Sequence, residues 1–331
     1  MTAIARASIP LFESAKPTQI LLTLVTTPIP REGLSDFTSN KKRSTRTIVI
    51  GDIHGNLKGF NRFLKKIKFN PSKDTIVLAG DIVAKGPHSL KVIDRAIKLD
   101  AKCVRGNHDD KVIRWRGFLD SLSGRQLEDL ESETEEDLQH SRGLVDDNKG
   151  WESVPSEIGK DNDTETQQLR IQARIPSDLD KASEHYHIAK KMSKRQYNYL
   201  KNCPLILTLP RKLSVKNIPI HVIHAGIDPH RSILKQEPWV LTNVRNLLED
   251  GTPSRKKNEG RGWAMEFNEL HKRRSLMKQD FLIVYGHDAG RSLNVMPWSI
   301  GLDTGCVYGR ELTGYVVETG RIISVPCPAG V

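Results

Sequence analysis

Five short apolar runs in this chain each end in small and polar residues that include Asp, Asn or His. In chain order the five segments read VIGDIHGN from Val49, VLAGDIVAKGPHS from Val77, CVRGNHDD from Cys103, VIHAGID from Val222 and IVYGHDAGR from Ile283. Short apolar runs rich in β-branched residues predict buried strands. The repeated pattern therefore predicts a buried sheet whose strand ends collect carboxylate, amide and imidazole groups.

Strands and helices alternate in the first part of the regular sequence. TIVI at residues 47–50, TIVLAG at 75–80 and KCVRG at 102–106 predict strands, and apolar residues at helical spacing predict helices within 56–69 and 89–100. Strand–helix–strand units with short connections predict that these strands pair in parallel. The sequence of the last third of the chain predicts mostly strands. Ligands of such sheets bind beyond the carboxyl ends of the strands, where the polar clusters lie.

The charge of the chain is unevenly distributed. The formal net charge is +11, but residues 126–168 hold 14 acidic and 3 basic residues, so that the rest of the chain carries +22. We predict a loosely ordered leader at residues 1–45, one domain at residues 46–326, and an acidic, disordered insertion at 126–168 within that domain. A body this basic favours a polyanionic partner, and the alternative is a basic surface kept for solubility.

The cysteines and the apolar segments bear on location. Cys103, Cys203, Cys306 and Cys327 are far apart and form no CxxC pair, which favours a reducing compartment and argues against a structural zinc knuckle. The apolar run at residues 20–25 is too short to span a bilayer and lacks a basic leader of the secretory kind. The sequence therefore predicts a cytoplasmic protein without a membrane segment, and it indicates no particular oligomeric state.

Six side chains in the five clusters are candidate metal ligands. They are Asp52, His54, Asp81, Asn107, His224 and His287. A single strand-end aspartate often only caps the next helix, but five such clusters offer enough ligands for two divalent ions that share a bridging carboxylate. Nitrogen combined with carboxylate ligation suits Zn²⁺, Mn²⁺ or Fe²⁺ better than Mg²⁺ or Ca²⁺. The sequence thus predicts a centre of two divalent metal ions.

The order and choice of these residues resemble the calcineurin-like metallophosphoesterase superfamily. Its signatures GDxHG, GDxxxxGP, GNH[ED], HxG and GH all occur here in sequence order, and the resemblance covers most of residues 47–325 apart from the acidic insertion. It implies an α/β fold in which two mixed β-sheets pack face to face with helices outside. It also implies two ion sites, one formed by Asp52, His54 and Asp81 and the other by Asp81, Asn107, His224 and His287. By the same resemblance, His108 protonates the leaving oxygen and Arg105 lies close to the bound phosphate.

The chain departs from the family pattern at three positions. Ala289 occupies the place of the second histidine of a GHxH motif. Ala84 stands where protein Ser/Thr phosphatases have the aspartate that orients the catalytic histidine, and Lys85 stands where they have an arginine that binds phosphate. Since lysine cannot form the two-pronged contact of arginine, these changes count against protein dephosphorylation and leave open what orients His108.

The variant GDxxxKGPxS, together with GHDAGRSL and GLDTGCVYG, resembles the diadenosine-tetraphosphatase-like branch of the superfamily. Within that branch it is similar to eukaryotic zinc- or cobalt-dependent endopolyphosphatases. This resemblance implies the vacuole as the alternative to a cytoplasmic location. Asp303 within GLDTG is interpreted as structural, whereas Lys85, Arg105 and Arg291 are candidate phosphate-binding residues.

These observations predict a metal-dependent phosphoanhydride hydrolase. The first choice is an endopolyphosphatase that cleaves inorganic polyphosphate with a hydroxide bridging the ions, with Zn, Mn, Co or Fe as the metal. The alternatives are a diadenosine tetraphosphate or RNA-cap hydrolase and a Ser/Thr protein phosphatase. A non-catalytic phosphate-binding module is the outside option, and nucleic acid is a possible but less favoured polyanionic partner.

Overall fold

Two large β-sheets and the helices around them form the computed structural model, which describes residues 34–36, 46–132, 175, 178–274 and 281–328. In chain order the regular elements are β1 (Leu34–Asp36), β2 (Arg46–Ile50), α1 (Leu57–Lys66), β3 (Asp74–Leu78), α2 (Ser89–Lys98), β4 (Lys102–Cys103), α3 (Asn107–Ser121), α4 (Gly124–Ser132), α5 (Glu184–Lys191), α6 (Lys194–Lys201), β5 (Ile206–Leu209), β6 (Ile220–Ile223), α7 (Pro238–Asn243), β7 (Asn246–Leu247), β8 (Pro253–Ser254), β9 (Arg261–Gly262), α8 (Trp263–Arg274), β10 (Leu282–Tyr285), β11 (Asn294–Val295), β12 (Ser299–Gly301), β13 (Glu311–Val316) and β14 (Arg321–Pro326). Short 3₁₀ turns occur at Arg211–Leu213, Ile233–Lys235 and Cys306–Tyr308.

Both large sheets are mixed. One has the strand order β1-β5-β6-β10-β12-β11 and the other β14-β13-β2-β3-β4, while β8-β7-β9 form a small third sheet. The strands β2, β3 and β4 pair in parallel, as do β6, β10 and β12, whereas β13 runs antiparallel to β2. The predicted fold of two mixed sheets with flanking helices is therefore confirmed.

Alternate side chains of the central strands enter two different apolar layers. Val49 and Val77 lie in the cluster between the two large sheets, together with Val222 and Val284 from the facing sheet. Their neighbour Ile48 points the other way, into the cluster formed with helices α1 to α6. Both faces of these strands are buried, which explains why they read as continuous apolar runs rather than as alternating patterns.

Two predicted boundaries need revision. Residues 34–36, within the predicted loose leader, form β1, which pairs in parallel with β5. Residues 126–132, within the predicted disordered insertion, belong to α4, where Leu130 is fully buried. The rest of both predicted segments, at 1–33, 37–45 and 133–168, lies outside the described residues.

The cysteines do not behave as the sequence suggested. They form two disulfide bonds, Cys103–Cys203 and Cys306–Cys327, which span 100 and 21 residues of sequence. The sequence favoured a reducing compartment because the cysteines are far apart and form no CxxC pair. In the structure they are paired, because the fold brings residues this far apart in sequence together. Among the described helices, none has both the length and the apolar character needed to cross a bilayer.

Candidate metal centre

The six predicted ligands come together at one edge of the two facing sheets. Each follows the carboxyl end of a strand: Asp52 and His54 follow β2, Asp81 follows β3, Asn107 follows β4, His224 follows β6 and His287 follows β10. Two groups of side chains have ligand atoms within 4.8 Å of one another, and Asp81 belongs to both groups; the first is His54, Asp81 and His108, and the second is Asp81, His224 and His287. The structure thus brings together residues that are up to 235 positions apart.

Asp81 lies at the centre of the cluster. Its Oδ2 lies 3.4 Å from Nε2 of His54, and its Oδ1 lies 3.4 Å from Nε2 of His224. Asn107 completes this side, with its Oδ1 3.1 Å from Nε2 of His224. Because the two carboxylate oxygens face two different imidazoles, Asp81 has the geometry of a carboxylate that bridges two ions.

Backbone carbonyls set the orientation of two histidine rings. Nδ1 of His54 lies 3.1 Å from the carbonyl oxygen of Val83, and Nδ1 of His224 lies 2.8 Å from that of Ala79. A ring whose Nδ1–H donates to a carbonyl keeps the lone pair of Nε2 for another partner. The outer contacts of both rings are therefore those expected of histidine ligands to a metal.

Asp52 links the two sheets across the cluster. Its Oδ1 and Oδ2 accept from the backbone N–H of His287 at 3.0 and 3.2 Å, and its Oδ2 lies 3.7 Å from Nε2 of His54. A Cβ atom at Gly286 would overlap Oδ1 of Asp52. Glycine at this position therefore permits the close approach that the sequence predicted for the residue before a ligand.

Asp109 joins two of the loops that carry ligands. Its Oδ1 accepts from the backbone N–H of Ile82 and Val83 at 3.0 and 3.3 Å, and its Oδ2 accepts from that of Gly106 at 3.0 Å. The side chain is fully buried. The aspartate of the GNHD motif, to which the sequence assigned no role, thus fixes the loop after β3 against the start of α3.

The backbone is strained around the cluster. Nine non-glycine residues in the described part of the chain have positive φ, and five of them belong to the site loops, namely His54, Asp81, Ala84, Lys85 and His287. Non-glycine residues rarely adopt this conformation, and such strain concentrates at functional sites because the surrounding packing must enforce it.

The charges of the cluster are those of a cation site. Burial, with the nearby charges of Asp303 and Asp81, raises the pKa of Asp52 well above its ordinary value. Burial also works against the charge of Asp81, but the surrounding histidines, His224 foremost, hold its pKa well below the ordinary value. Buried carboxylates with mutually destabilising charges, surrounded by correctly oriented imidazoles, are a donor set that fits divalent ions.

His108 lies beside the cluster at the start of α3. Its backbone N–H donates to Oδ1 of Asp81 at 3.0 Å, and its ring meets that of His54 edge-on with centroids 5.0 Å apart. Its Nδ1 lies 2.8 Å from Nε2 of His185, a residue of α5 that no sequence motif singled out. Burial lowers the pKa of both rings to about 4, so that both are neutral near pH 7 in the metal-free protein.

Lys85 reaches the cluster, and an exposed aromatic ring lies next to it. Its Nζ lies 3.0 Å from Nε2 of His54 and 5.9 Å from the ring centroid of Tyr308. The ring of Tyr308 is 60% exposed and belongs to the 3₁₀ turn that begins with the disulfide-bonded Cys306. Lys85 thus lies at the cluster next to an exposed aromatic ring, and its role in phosphate binding stays a prediction.

The two predicted phosphate-binding arginines are held by protein groups. Arg105 donates to Oδ1 of Asp110 at 3.3 Å and to the carbonyl of Lys201 at 2.9 Å. Arg291 forms an ion pair with Asp288 and donates to Oδ1 of Asn246 at 2.5 Å. The contacts of both are with structural partners, so their role in phosphate binding stays a prediction.

A basic groove that the sequence analysis missed lies on the His287 side of the cluster. Nη2 of Arg245 donates to the carbonyl of His287 at 3.2 Å, and Nη1 donates to that of Arg255 at 3.1 Å. A cavity of about 470 Å³ is lined by Arg245, Arg255, Lys256, Lys257, Asn258 and Glu259. The KK pair at residues 256–257 was visible in the sequence, but only the fold places it near the cluster.

Comparisons with known proteins agree with this geometry. Residues 45–164 match the family model described as calcineurin-like phosphoesterase. A symmetrical bis(5'-nucleosyl)-tetraphosphatase of Pseudomonas putida is 27% identical over 292 residues, which cover 85% of this chain and 93% of the relative. An asymmetrical bis(5'-nucleosyl)-tetraphosphatase of Anoxybacillus flavithermus is 28% identical over 295 residues, which cover 84% and 93%.

A solved structure gives the same result for the fold. A crystal structure attributed to a diadenosine tetraphosphatase superposes with a TM-score of 0.58 and 26% sequence identity, covering 87% of this chain and 96% of the other. The family match includes the loops after β2, β3 and β4, which supply four of the six candidate ligands. Residues 45–164 therefore match the calcineurin-like phosphoesterase family, and the chain as a whole is similar to proteins named as bis(5'-nucleosyl)- or diadenosine tetraphosphatases.

Proposed function

We propose that this protein hydrolyses phosphoanhydride bonds of dinucleoside polyphosphates. The observation that carries the proposal is its similarity to relatives named bis(5'-nucleosyl)-tetraphosphatases, which extends over 84–85% of the chain rather than over the family motifs alone. This substrate class was the second choice on the sequence motifs, and the similarity moves it ahead of inorganic polyphosphate.

The side chains of the cluster fit this reaction. Two divalent ions would supply positive charge and a water nucleophile at neutral pH. Of the proposed ligands, His54, Asp81, His224 and His287 lie in the two close groups, Asp52 lies beside His54, and Asn107 lies beside His224. Lys85 would neutralise a phosphate beside His54, since its ammonium group already lies at that edge. His108 would give a proton to the departing phosphate oxygen.

Tyr308 supports a nucleoside-containing substrate. An exposed aromatic ring within 5.9 Å of the Lys85 ammonium offers a surface on which a base can stack while the lysine meets the adjoining phosphate. Stacking of a base on an aromatic side chain contributes about 1–3 kcal/mol. A chain of inorganic phosphate would gain nothing from this ring.

Inorganic polyphosphate is the second candidate, and the basic groove favours it. Arg245, Arg255, Lys256 and Lys257 line one cavity next to His287, and a row of cations can follow a phosphate chain away from the cluster. The affinity for such a chain would rise with its length until the groove is covered, and it would fall steeply with salt.

The disulfide bonds bear on where the reaction takes place. Two disulfides in one chain are typical of proteins in oxidising compartments and are rare in the cytoplasm. We infer that an oxidising compartment is favoured over the cytoplasm. The vacuole, which the family resemblance implied as an alternative, fits that inference.

A panel of substrates tests the proposal. Diadenosine tetraphosphate, inorganic polyphosphate, a phosphopeptide and p-nitrophenyl phosphate are compared at equal concentration, each with Zn²⁺, Mn²⁺ and Co²⁺. We expect the highest kcat/KM with diadenosine tetraphosphate, and product analysis distinguishes two ADP from ATP plus AMP. A higher kcat/KM with polyphosphate and early release of shorter chains would support the second candidate. Fastest turnover of the phosphopeptide would identify a protein phosphatase, and no turnover by the metal-loaded protein would leave a phosphate-binding module.

A further inference from the structure

The ring of His108 is held by a second histidine. Nδ1 of His108 and Nε2 of His185 are 2.8 Å apart, and the two rings are nearly coplanar, with an interplanar angle of 25°. This contact occupies Nδ1 and leaves Nε2 of His108 available on the substrate side. Between two neutral rings, such a hydrogen bond needs one N–H and one bare nitrogen, so each ring restricts the tautomer of the other.

His185 is placed firmly enough to have this effect. It is 8% exposed and lies in the first turn of α5. The next residue, Tyr186, packs edge-on against the buried ring of Trp115 on α3 with centroids 5.1 Å apart. The preceding residue, Glu184, accepts from the backbone N–H of Lys85 at 2.6 Å. The helix is therefore fixed both to α3, which carries His108, and to the loop that carries Lys85.

The loop after β3 offers His108 no comparable side chain. Ala84 is fully buried there, and its methyl group can neither donate nor accept a hydrogen bond. Its backbone N–H is used by Oγ of Ser89 at 3.0 Å. A group that orients His108 must therefore come from another element, and α5 supplies one.

We propose that His185 is a positioning residue for His108: its bare Nε2 accepts from Nδ1–H of His108 and so holds that ring with its Nε2–H facing the leaving group. The inference rests on the proposed hydrolysis at the cluster but not on the identity of the natural substrate. In the assisted step, the oxygen of water forms a bond to phosphorus and the bond from phosphorus to the leaving oxygen breaks. That oxygen takes the Nε2 proton of the His108 imidazolium, which becomes a neutral imidazole with its remaining proton on Nδ1 toward His185, and the proton lost by the attacking water returns to Nε2 through solvent.

Four variants separate this role from simple packing. His185→Phe keeps a ring of similar shape without nitrogen, and His185→Gln keeps a side-chain oxygen that can accept a hydrogen bond. His187→Phe on the same helix is the matched control, because that histidine is exposed. His108→Ala removes the proposed acid itself. Circular dichroism, thermal melting and metal content are measured for each variant.

The readout is the dependence of the rate on the leaving group. Phenyl phosphate needs a proton on its departing oxygen far more than p-nitrophenyl phosphate does. We expect His185→Phe to lower kcat for phenyl phosphate about 10- to 100-fold, with little change in KM and only a few-fold loss for p-nitrophenyl phosphate. His185→Gln should retain most of the activity, His187→Phe all of it, and His185→Phe should cost nothing further once His108 is alanine.

A measurement without turnover accompanies the kinetics. Nitrogen-15 histidine spectra of the metal-free protein report which ring nitrogen of His108 carries the proton. We expect one dominant Nδ1–H form in the wild type and in His185→Gln, and a mixture in His185→Phe. Equal losses on both phosphates, unchanged activity in His185→Phe, or loss of bound metal in that variant would each overturn the inference. Failure of the wild type on dinucleoside polyphosphates alone would instead overturn only the proposed substrate.

Discussion

The two flanks of the Asp81 cluster differ in the kind of surface they offer. On one flank, Lys85 lies against His54 and next to the exposed ring of Tyr308. On the other flank, Arg245 lies against His287 and opens into a groove whose side chains are mostly basic. In the proposed reaction, the first flank would receive one phosphate and a base, and the second would receive a run of phosphates.

This difference separates chemistry from substrate choice. The cluster between the flanks is buried and fixed by backbone hydrogen bonds, so it would treat any phosphoanhydride alike. The flanks are exposed and are built on a short 3₁₀ turn and on the edge of the small third sheet. Binding energy gained on a flank is therefore what selects a nucleotide or an inorganic chain.

The largest loss of activity should come from a substitution at the centre of the cluster, and it should be the same for substrates that use either flank. Asp81→Asn removes the charge that lies between His54 and His224, and we expect kcat to fall about ten-thousandfold, ~5.5 kcal/mol, on every substrate. Asp250→Asn, at an exposed turn, is the control and should change nothing. Steady-state kinetics and metal analysis check this. A loss on one substrate alone would mean that the flanks do not share one centre.

The next effect comes from the disulfide that fixes the Tyr308 turn. Replacing Cys306 and Cys327 by serine should lower the free energy of unfolding by about 3 kcal/mol, because the 21-residue span is no longer closed. It should also raise KM for diadenosine tetraphosphate more than for polyphosphate. The serine pair at Cys103 and Cys203 is the control, with a comparable or larger loss of stability but no such preference. Denaturant unfolding measures the loss of stability, and steady-state kinetics measure KM for the two substrates. Equal changes in KM for diadenosine tetraphosphate and polyphosphate would refute the link to Tyr308.

A smaller effect is expected at Tyr308 itself. Tyr308→Ala should raise KM for diadenosine tetraphosphate about tenfold, ~1.4 kcal/mol, by removing a stacking surface, and should leave polyphosphate cleavage unchanged. Tyr308→Phe keeps the ring and should behave as the wild type. The same change in KM for both substrates would show that Tyr308 does not bind the nucleoside.

The smallest effect should come from the opposite flank. Replacing Lys256 and Lys257 by alanine should raise KM for long polyphosphate several-fold at low salt and should have little effect on diadenosine tetraphosphate. Lys65 and Lys66 form the matched control, since they are exposed at the far end of α1 from the site loop. KM is measured across a salt series. An equal response of the two lysine pairs would assign the effect to net charge alone.

Much of the centre could be predicted from the sequence. Asp52 and Asp81 follow neighbouring parallel strands of one sheet, and His224 follows a strand of the facing sheet. Strands of one sheet end at a shared edge, so Asp52 and Asp81 could be expected to meet, whereas the approach of His224 depends on how the two sheets pack. The two-sheet fold was implied by the family resemblance of the motifs, and the burial of both faces of the central strands agrees with it.

The partners of the centre could not be predicted in this way. His185 lies 77 residues after His108 on a helix without any motif, and the cysteine pairs are 100 and 21 residues apart. Nothing local in the sequence marks these contacts, because they depend on how α5 packs on α3 and how the last strand returns to α1.

The sequence by itself determined the set of candidate ligands, because buried apolar runs and the polar residues at their ends are local features of a chain. Tertiary structure alone decided which groups orient that set and which surfaces flank it. Orientation depends on side chains from separate elements meeting within hydrogen-bond distance, as Nδ1 of His108 and Nε2 of His185 do at 2.8 Å. A contact of that kind depends on how two helices pack, and it cannot be inferred from the spacing of residues along the chain.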